Sequence, residues 1–294
     1  MAEEYQKGQH GLTPLVPLAY AEWKRYGRHL KEYGSEFGGT AYLMFCIIAS
    51  VALMSAPASP VPRLLPWPGL RLFCTGTLIG ASAWLLAISP PGRLSGAHTN
   101  PAVSIGFWLL GKMHHGDLCG YVTAQMTGAV LGAWAARACL GVWARQIHWA
   151  DLRPSKDVSL AEAFAAELIA TCVLTSILYA LVSHHRLLRL TPAFMTPVTG
   201  ILVCAAGSIS GAGMNPARWF GPAELVKDWS FPVLYGLGPL AGVVCAAALR
   251  HSGLLLPKVP LTGKLFHDPS YRSLFRYDQV PSRIVTDADR SRGS

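Results

Sequence analysis

The sequence predicts an all-α membrane protein: six transmembrane helices plus two re-entrant half-helices, arranged as an inverted repeat. Three observations carry this. Of the 294 residues 51% are hydrophobic and only 14% are charged. The apolar residues gather into six runs, each near the ~20 residues that a spanning helix needs. The tripeptide Asn-Pro-Ala occurs twice, at Asn100-Pro101-Ala102 and Asn215-Pro216-Ala217, each time preceded by Ser-Gly-Ala and two further residues.

The runs are Gly38 to Pro57, Gly69 to Ser89, Leu118 to Ala144, Leu160 to Val182, Pro192 to Ile209 and Phe231 to Leu249. Between the second and third, and after the fifth, stand the Asn-Pro-Ala copies. Asn is a good N-cap, and Pro at the first helical position loses no hydrogen bond, so each copy reads as a helix start. Both helices are short. Gly111 closes the first, and Gly221-Pro222 falls one to two turns into the second. At ~1.5 Å per residue each covers about half of the ~30 Å hydrocarbon thickness.

The halves repeat. Glu36-x-x-x-Thr40 opens the first span and Glu167-x-x-x-Thr171 lies in the fourth; Gln125-x-x-Gly128 corresponds to Pro239-x-x-Gly242. Three spans per half is an odd number, so the second half inserts upside down relative to the first. The two half-helix N-termini then meet near the midplane. Backbone that is not helical at that depth must be buried in protein or line water, a place suited to Ser95 to Thr99 and Ser210 to Met214. The expected division is a segment 1–34, a channel-forming domain 35–256 with halves about 35–145 and 159–256, and a tail 257–294.

The cations set the orientation. Lys7, Lys24, Arg25, Arg28 and Lys31, the loop with Arg186 and Arg189, and eight cations between Arg250 and Arg292 share one side. The bias outweighs Arg63, Arg145, Arg153, Lys156 and Lys227 on the other, and places both termini in the cytoplasm, with no cleavable signal peptide at the start. The formal charge of +9 then reflects topology and lipid headgroups, not nucleic acid. Pro14 to Lys31 reads as an interfacial amphipathic helix or one lying on the bundle, and the tail from Pro257 as extended or partly disordered, with no assigned activity. The seven cysteines read as small packing residues, without disulfide or metal. Arg137 is expected to snorkel.

Ser-Gly-Ala-His-Thr-Asn-Pro-Ala-Val-Ser and Ser-Gly-Ala-Gly-Met-Asn-Pro-Ala-Arg-Trp-Phe-Gly-Pro resemble the two signature loops of the aquaporins, the major intrinsic protein family. The resemblance runs from Glu36 to Leu249 and includes the early Glu, the Ala-Gln of the third span and the Gly-Pro-Leu-Ala-Gly of the sixth. It implies a homotetramer in the plasma (inner) membrane, with one pore per subunit for water and small neutral solutes, and no cofactor. Asn100 and Asn215 would donate N–H groups to a passing oxygen at the positive ends of two half-helix dipoles, breaking the chain along which protons hop; aquaporin-type pores are the standing example of this logic. The carbonyls of Gly96, Ala97, His98, Gly211, Ala212 and Gly213 would line the tube. Glu36 and Glu167 would brace the loops from behind, and His98 is as well read as a buried hydrogen-bonding group.

Arg218 matches the family's constriction arginine, consistent with the cost of a charge at membrane depth. Its three partners by ungapped counting are Gly80, Val203 and Ala212; a small insertion within Pro90 to Arg93 would move the first to Ile79 or Leu78. None is the aromatic or histidine of strict water channels, so the aperture should be wide enough for glycerol, urea or metalloid acids. A strict water channel, an ion-coupled carrier and a non-conducting scaffold are the alternatives. No nucleophile with its base, metal cluster or phosphate loop supports an enzyme.

Overall fold

The computed structural model describes residues 29–184, 186–253, 261–268, 270–271 and 273–275. The helix expected over Pro14 to Lys31 lies almost wholly outside the described residues.

Six long helices and two short ones make the body. They are α1 (Leu30–Ser55), α2 (Pro68–Ile88), the half-helix α3 (Pro101–Leu109), α4 (His115–Leu140), α5 (Leu160–Val182), α6 (Thr191–Ala206), the half-helix α7 (Pro216–Val226) and α8 (Gly238–Ser252). Among the described residues four stretches, α1, α2, α5 and Val233–Ser252, are long and apolar enough to cross a membrane. α4 is long but polar at intervals, with Asp117, Gln125 and Arg137. α6 has 16 residues, about 24 Å of rise.

The ends follow local chemistry. Ser159 accepts from the Glu162 N–H while the Glu162 carboxylate accepts from the Ser159 N–H, a capping box that opens α5. α4, the third of the expected spans, stops at Leu140, short of the expected Ala144, because Gly141 takes φ +51°. A five-residue π-turn (Val233–Leu237) precedes α8. Pro239 has no N–H to give a regular ladder there, which accounts for the wide turn.

The inverted repeat is visible in the pairing. α1 packs on α4, α5 on α8, and α2 on α6 across the junction of the halves; α3 sits against α8 and α7 against α4. Small residues permit the approach. A Cβ on Gly128 would lie 2.3 Å from the Phe37 carbonyl oxygen, and one on the equivalent Gly242 2.4 Å from that of Leu168. Without a hydrophobic drive between helices in lipid, such close backbone packing is what joins them.

Two expectations need correction. Of the seven cysteines Cys119, Cys139 and Cys245 are exposed and do not fill the interior, whereas Cys46, Cys74, Cys172 and Cys204 are partly buried, Cys172 packing on the cluster of Leu178 and Tyr179 and the Cys204 thiol donating to the Gly69 carbonyl at 3.3 Å. The tail is not simply extended: Leu261, Thr262, Lys264 and Phe275 are buried against the body. Arg137 is exposed and lies over Trp134 and Trp149, 5.1 and 5.9 Å from their ring centroids.

Candidate functional site

The two Asn-Pro-Ala copies meet head to head. Asn100 and Asn215 both cap their half-helices, each side-chain oxygen accepting at 2.9 Å from the second following N–H, that of Ala102 or Ala217. Each amide nitrogen crosses to the opposite loop: Asn100 Nδ2 donates to the Met214 carbonyl and Asn215 Nδ2 to the Thr99 carbonyl, both at 3.0 Å. An amide nitrogen carries two hydrogens. The crossing uses one from each Asn.

The loops leading into them are near copies. Gly96 and Gly211 both have φ +90°, followed by Ala97 (+56°) and Ala212 (+52°), then Thr99 (+47°) and Met214 (+51°) after one more residue. Such a run of left-handed backbone is costly away from Gly and survives because two buried carboxylates hold it. Glu36 accepts from the His98 and Thr99 N–H groups at 3.0 and 2.7 Å and from Gln125 Nε2 at 2.7 Å. Glu167 accepts from the Gly213 and Met214 N–H groups at 2.7 and 2.6 Å and from the Ser210 hydroxyl at 2.7 Å.

A second symmetric brace escaped sequence reasoning. Tyr121 donates to the Ser95 carbonyl at 2.7 Å and Tyr235 to that of Ser210 at 2.6 Å. The two tyrosines are separated by the same interval as Gly128 and Gly242, so the repeat itself held the signal.

Arg218 follows Ala217 in the first turn of α7. It is 8% exposed and its Nη1 has no hydrogen-bond partner among the described residues. A cation is disfavoured at a helix N-terminus, and a buried one doubly so. The strongest opposing charge on it is Asp151, in the loop between α4 and α5. Burial pushes the Asp151 carboxyl up, against the pull of Arg153, which bonds it at 3.2 Å.

Of the expected partners, Val203 and Ala212 fall in one buried cluster with Met214, Leu202 and Ala206. Gly80 does not join them. A Cβ there would lie 2.7 Å from Thr196 Cα and 2.8 Å from its carbonyl oxygen, so Gly80 is the close contact between α2 and α6 and cannot present a wall to a lumen. The next position back differs. Leu72, Ile79 and Leu86 are spaced by seven and share a helix face; Leu72 packs on the cluster of Ala212 and Met214, and Leu86 on Ala97. Ile79 thus shares the α2 face of Leu72 and Leu86.

His98 is enclosed. Its ring lies 4.8 Å from that of Phe107 and 5.1 Å from that of Phe275, centroid to centroid, with Nδ1 3.1 Å from Ser104 Oγ and Nε2 2.8 Å from the Gly263 carbonyl oxygen. Its imidazole is a buried hydrogen-bonding group. The Gly96 carbonyl, expected to face a permeant, accepts from the Leu265 N–H at 3.1 Å. No group of three or more His, Cys, Asp or Glu able to hold a metal occurs among the described residues.

Comparison with known proteins bears on the family and the fold. Aquaporin AqpM of Methanothermobacter marburgensis is 30% identical over 239 residues, covering 72% of this chain and 93% of its own length. Aquaporin NIP1-1 of Zea mays is 29% identical over 214 residues, 72% of this chain and 71% of its own. The crystal structure of the aquaglyceroporin from Plasmodium falciparum superposes with a TM-score of 0.60 at 21% identity, covering 77% of this chain and 97% of that one, and so shares the fold. The family model described as Major intrinsic protein matches residues 22–250, and by that match the chain belongs to the major intrinsic proteins, integral membrane channels for water and small solutes and not enzymes.

Proposed function

We propose that the protein is a passive channel that admits neutral solutes larger than water and excludes protons and ions. The reading rests on the crossed Asn bonds: with one hydrogen of each amide fixed on the opposite loop, the second remains for one oxygen at the meeting point of two helix N-termini. A water held there by two donors points both hydrogens outward, and the positive field repels cations.

An ion-coupled carrier needs a titrating group free to exchange its ion. Glu36 and Glu167 each hold three donors, and Glu162 closes a cap. All three carboxylates have structural work. The membrane is the plasma (inner) membrane, with both termini cytoplasmic by the distribution of basic residues. The outward Leu85, Ile169 and Ile201, each 58% exposed, suit lipid or neighbouring subunits of a homotetramer.

Stopped-flow light scattering on proteoliposomes should show downhill entry of water, glycerol and boric acid, with no accumulation driven by a pH or sodium gradient. Uphill uptake would replace the channel reading with a carrier.

Width is the finer part of the proposal. In the proposed filter Arg218 is joined by Ala212, Val203 and, on α2, Ile79 in place of Gly80. No ring narrows them. Ile79→Trp should therefore cut glycerol and boric acid entry at least about tenfold, a barrier rise of ~1.4 kcal/mol, while water entry stays measurable. Gly80→Phe should instead abolish folded protein, since its ring would enter the α6 backbone. If Ile79→Trp leaves glycerol entry unchanged, Ile79 is not at the constriction.

A further inference from the structure

The second re-entrant loop is seated against the connection between the halves. A Cβ on Gly211 would meet Leu152 Cδ2 at 2.9 Å and the Arg153 carbonyl at 3.6 Å, Leu152 is buried, and Ser155 N–H donates to the Ile209 carbonyl at 2.9 Å. The first loop is seated in the same way by a segment that follows the last helix. A Cβ on Gly96 would meet Phe275 Cε2 at 3.0 Å and Lys264 Cα at 3.3 Å, and Leu265 N–H bonds the Gly96 carbonyl.

The register is shared. Leu152 comes twelve residues after Leu140, where α4 ends, and Lys264 twelve after Ser252, where α8 ends. The unit that repeats is thus three long helices, a half-helix and a connector, and the connector of each half lies on a re-entrant loop.

We propose that residues 261–268 with 273–275 are the second copy of this connector and a positioning element of the pore. The grip is specific. Lys264 is 1% exposed and its ammonium donates to the Arg93 carbonyl at 2.8 Å, at the C-terminal end of the short helix Pro90–Ser95, where a cation is favoured. Thr262 N–H bonds the Val182 carbonyl at 3.2 Å and the Gly263 carbonyl lies 2.8 Å from His98 Nε2. Phe275 covers His98 and packs with Tyr121, the brace of the same loop.

Beyond these, the salt bridge between Arg93 and Asp268 (3.0 Å) closes the contact at the surface. The Ser270 hydroxyl and N–H, with Arg93 adding to them, hold the Asp268 carboxyl below the usual carboxylate range. Residues 151–155 run between α4 and α5, and the C-terminal copy is seated by the backbone and side-chain contacts just named. Loosened, the loop carrying Thr99 and Asn100 loses the geometry that aims the central donors.

The proposal rests on the channel reading above, and the test separates the two. Full-length wild type, Phe275→Ala and Phe275→Tyr are reconstituted, and water entry and proton leak, followed with an entrapped pH dye, are normalised to folded protein. A wild type that passes no solute would end the channel reading itself. With a conducting wild type, Phe275→Ala should raise proton leak about tenfold, since sub-ångström misplacement of a functional group carries penalties of that order or more. Phe275→Tyr, which keeps the ring on His98, should stay near wild type.

Wild-type leak in Phe275→Ala would make the segment passive packing, and faster water entry with exclusion intact would make it a plug; either overturns the proposal. If Phe275→Ala does not fold, Asp268→Asn decides: a smaller rise in leak supports positioning, and none refutes it.

Discussion

Glu167→Leu should yield no folded, conducting protein. The carboxylate is fully buried and accepts from Gly213 N, Met214 N and Ser210 Oγ, and leucine accepts from none of them. Each orphaned donor costs ~1–3 kcal/mol, so three together rival the ~5–15 kcal/mol that holds a domain folded. The left-handed backbone at Ala212 and Met214 would lose its restraint at the same time. Glu167→Gln keeps the volume and one acceptor but turns its amide hydrogens toward donors, so it should fold with a lowered melting temperature and reduced water entry. Size-exclusion profiles in detergent and stopped-flow rates check both variants. A monodisperse, fully conducting Glu167→Leu would show that the loop holds its shape without the carboxylate.

The second large effect belongs to Arg218. Arg218→Val removes a cation, a rigid fork of donors and much of the bulk at the proposed constriction. Urea and glycerol entry should rise about tenfold, a barrier drop of ~1.4 kcal/mol, and sodium leak should become measurable. Arg218→Lys keeps the charge without the planar fork and should fall between. Parental urea and sodium behaviour in the valine variant would move the constriction elsewhere.

Helix starts, braces and the inverted repeat were legible in the sequence because their chemistry is local. An Asn before a Pro caps a helix whatever surrounds it, and Glu36 and Glu167 stand at matching places in two halves. The α2 position proposed for the filter was not legible. Gly80 and Ile79 differ by one step of a helix, about 100° of rotation, and Ser89-Pro90-Pro91 between them and the Asn breaks any count. Only the contact with Thr196 fixes which way α2 is turned. Cys119, Cys139 and Cys245 misled because a lipid-facing and a core-facing position look equally apolar. The tail misled for the opposite reason: Lys264 reads as solvated until a carbonyl at a helix end is seen to receive it.

The crossed Asn bonds also carry a consequence for biogenesis. Asn100 completes its contact with a carbonyl 114 residues later in the chain. At ~5–20 residues per second of synthesis, that partner leaves the ribosome on the order of ten seconds after Asn100 does. Throughout that interval the first half-helix must wait at the translocon or the membrane surface, its cap formed but its amide unanswered. Neither half can therefore complete its central contacts alone, and the crossed bonds close only after the second loop has been made.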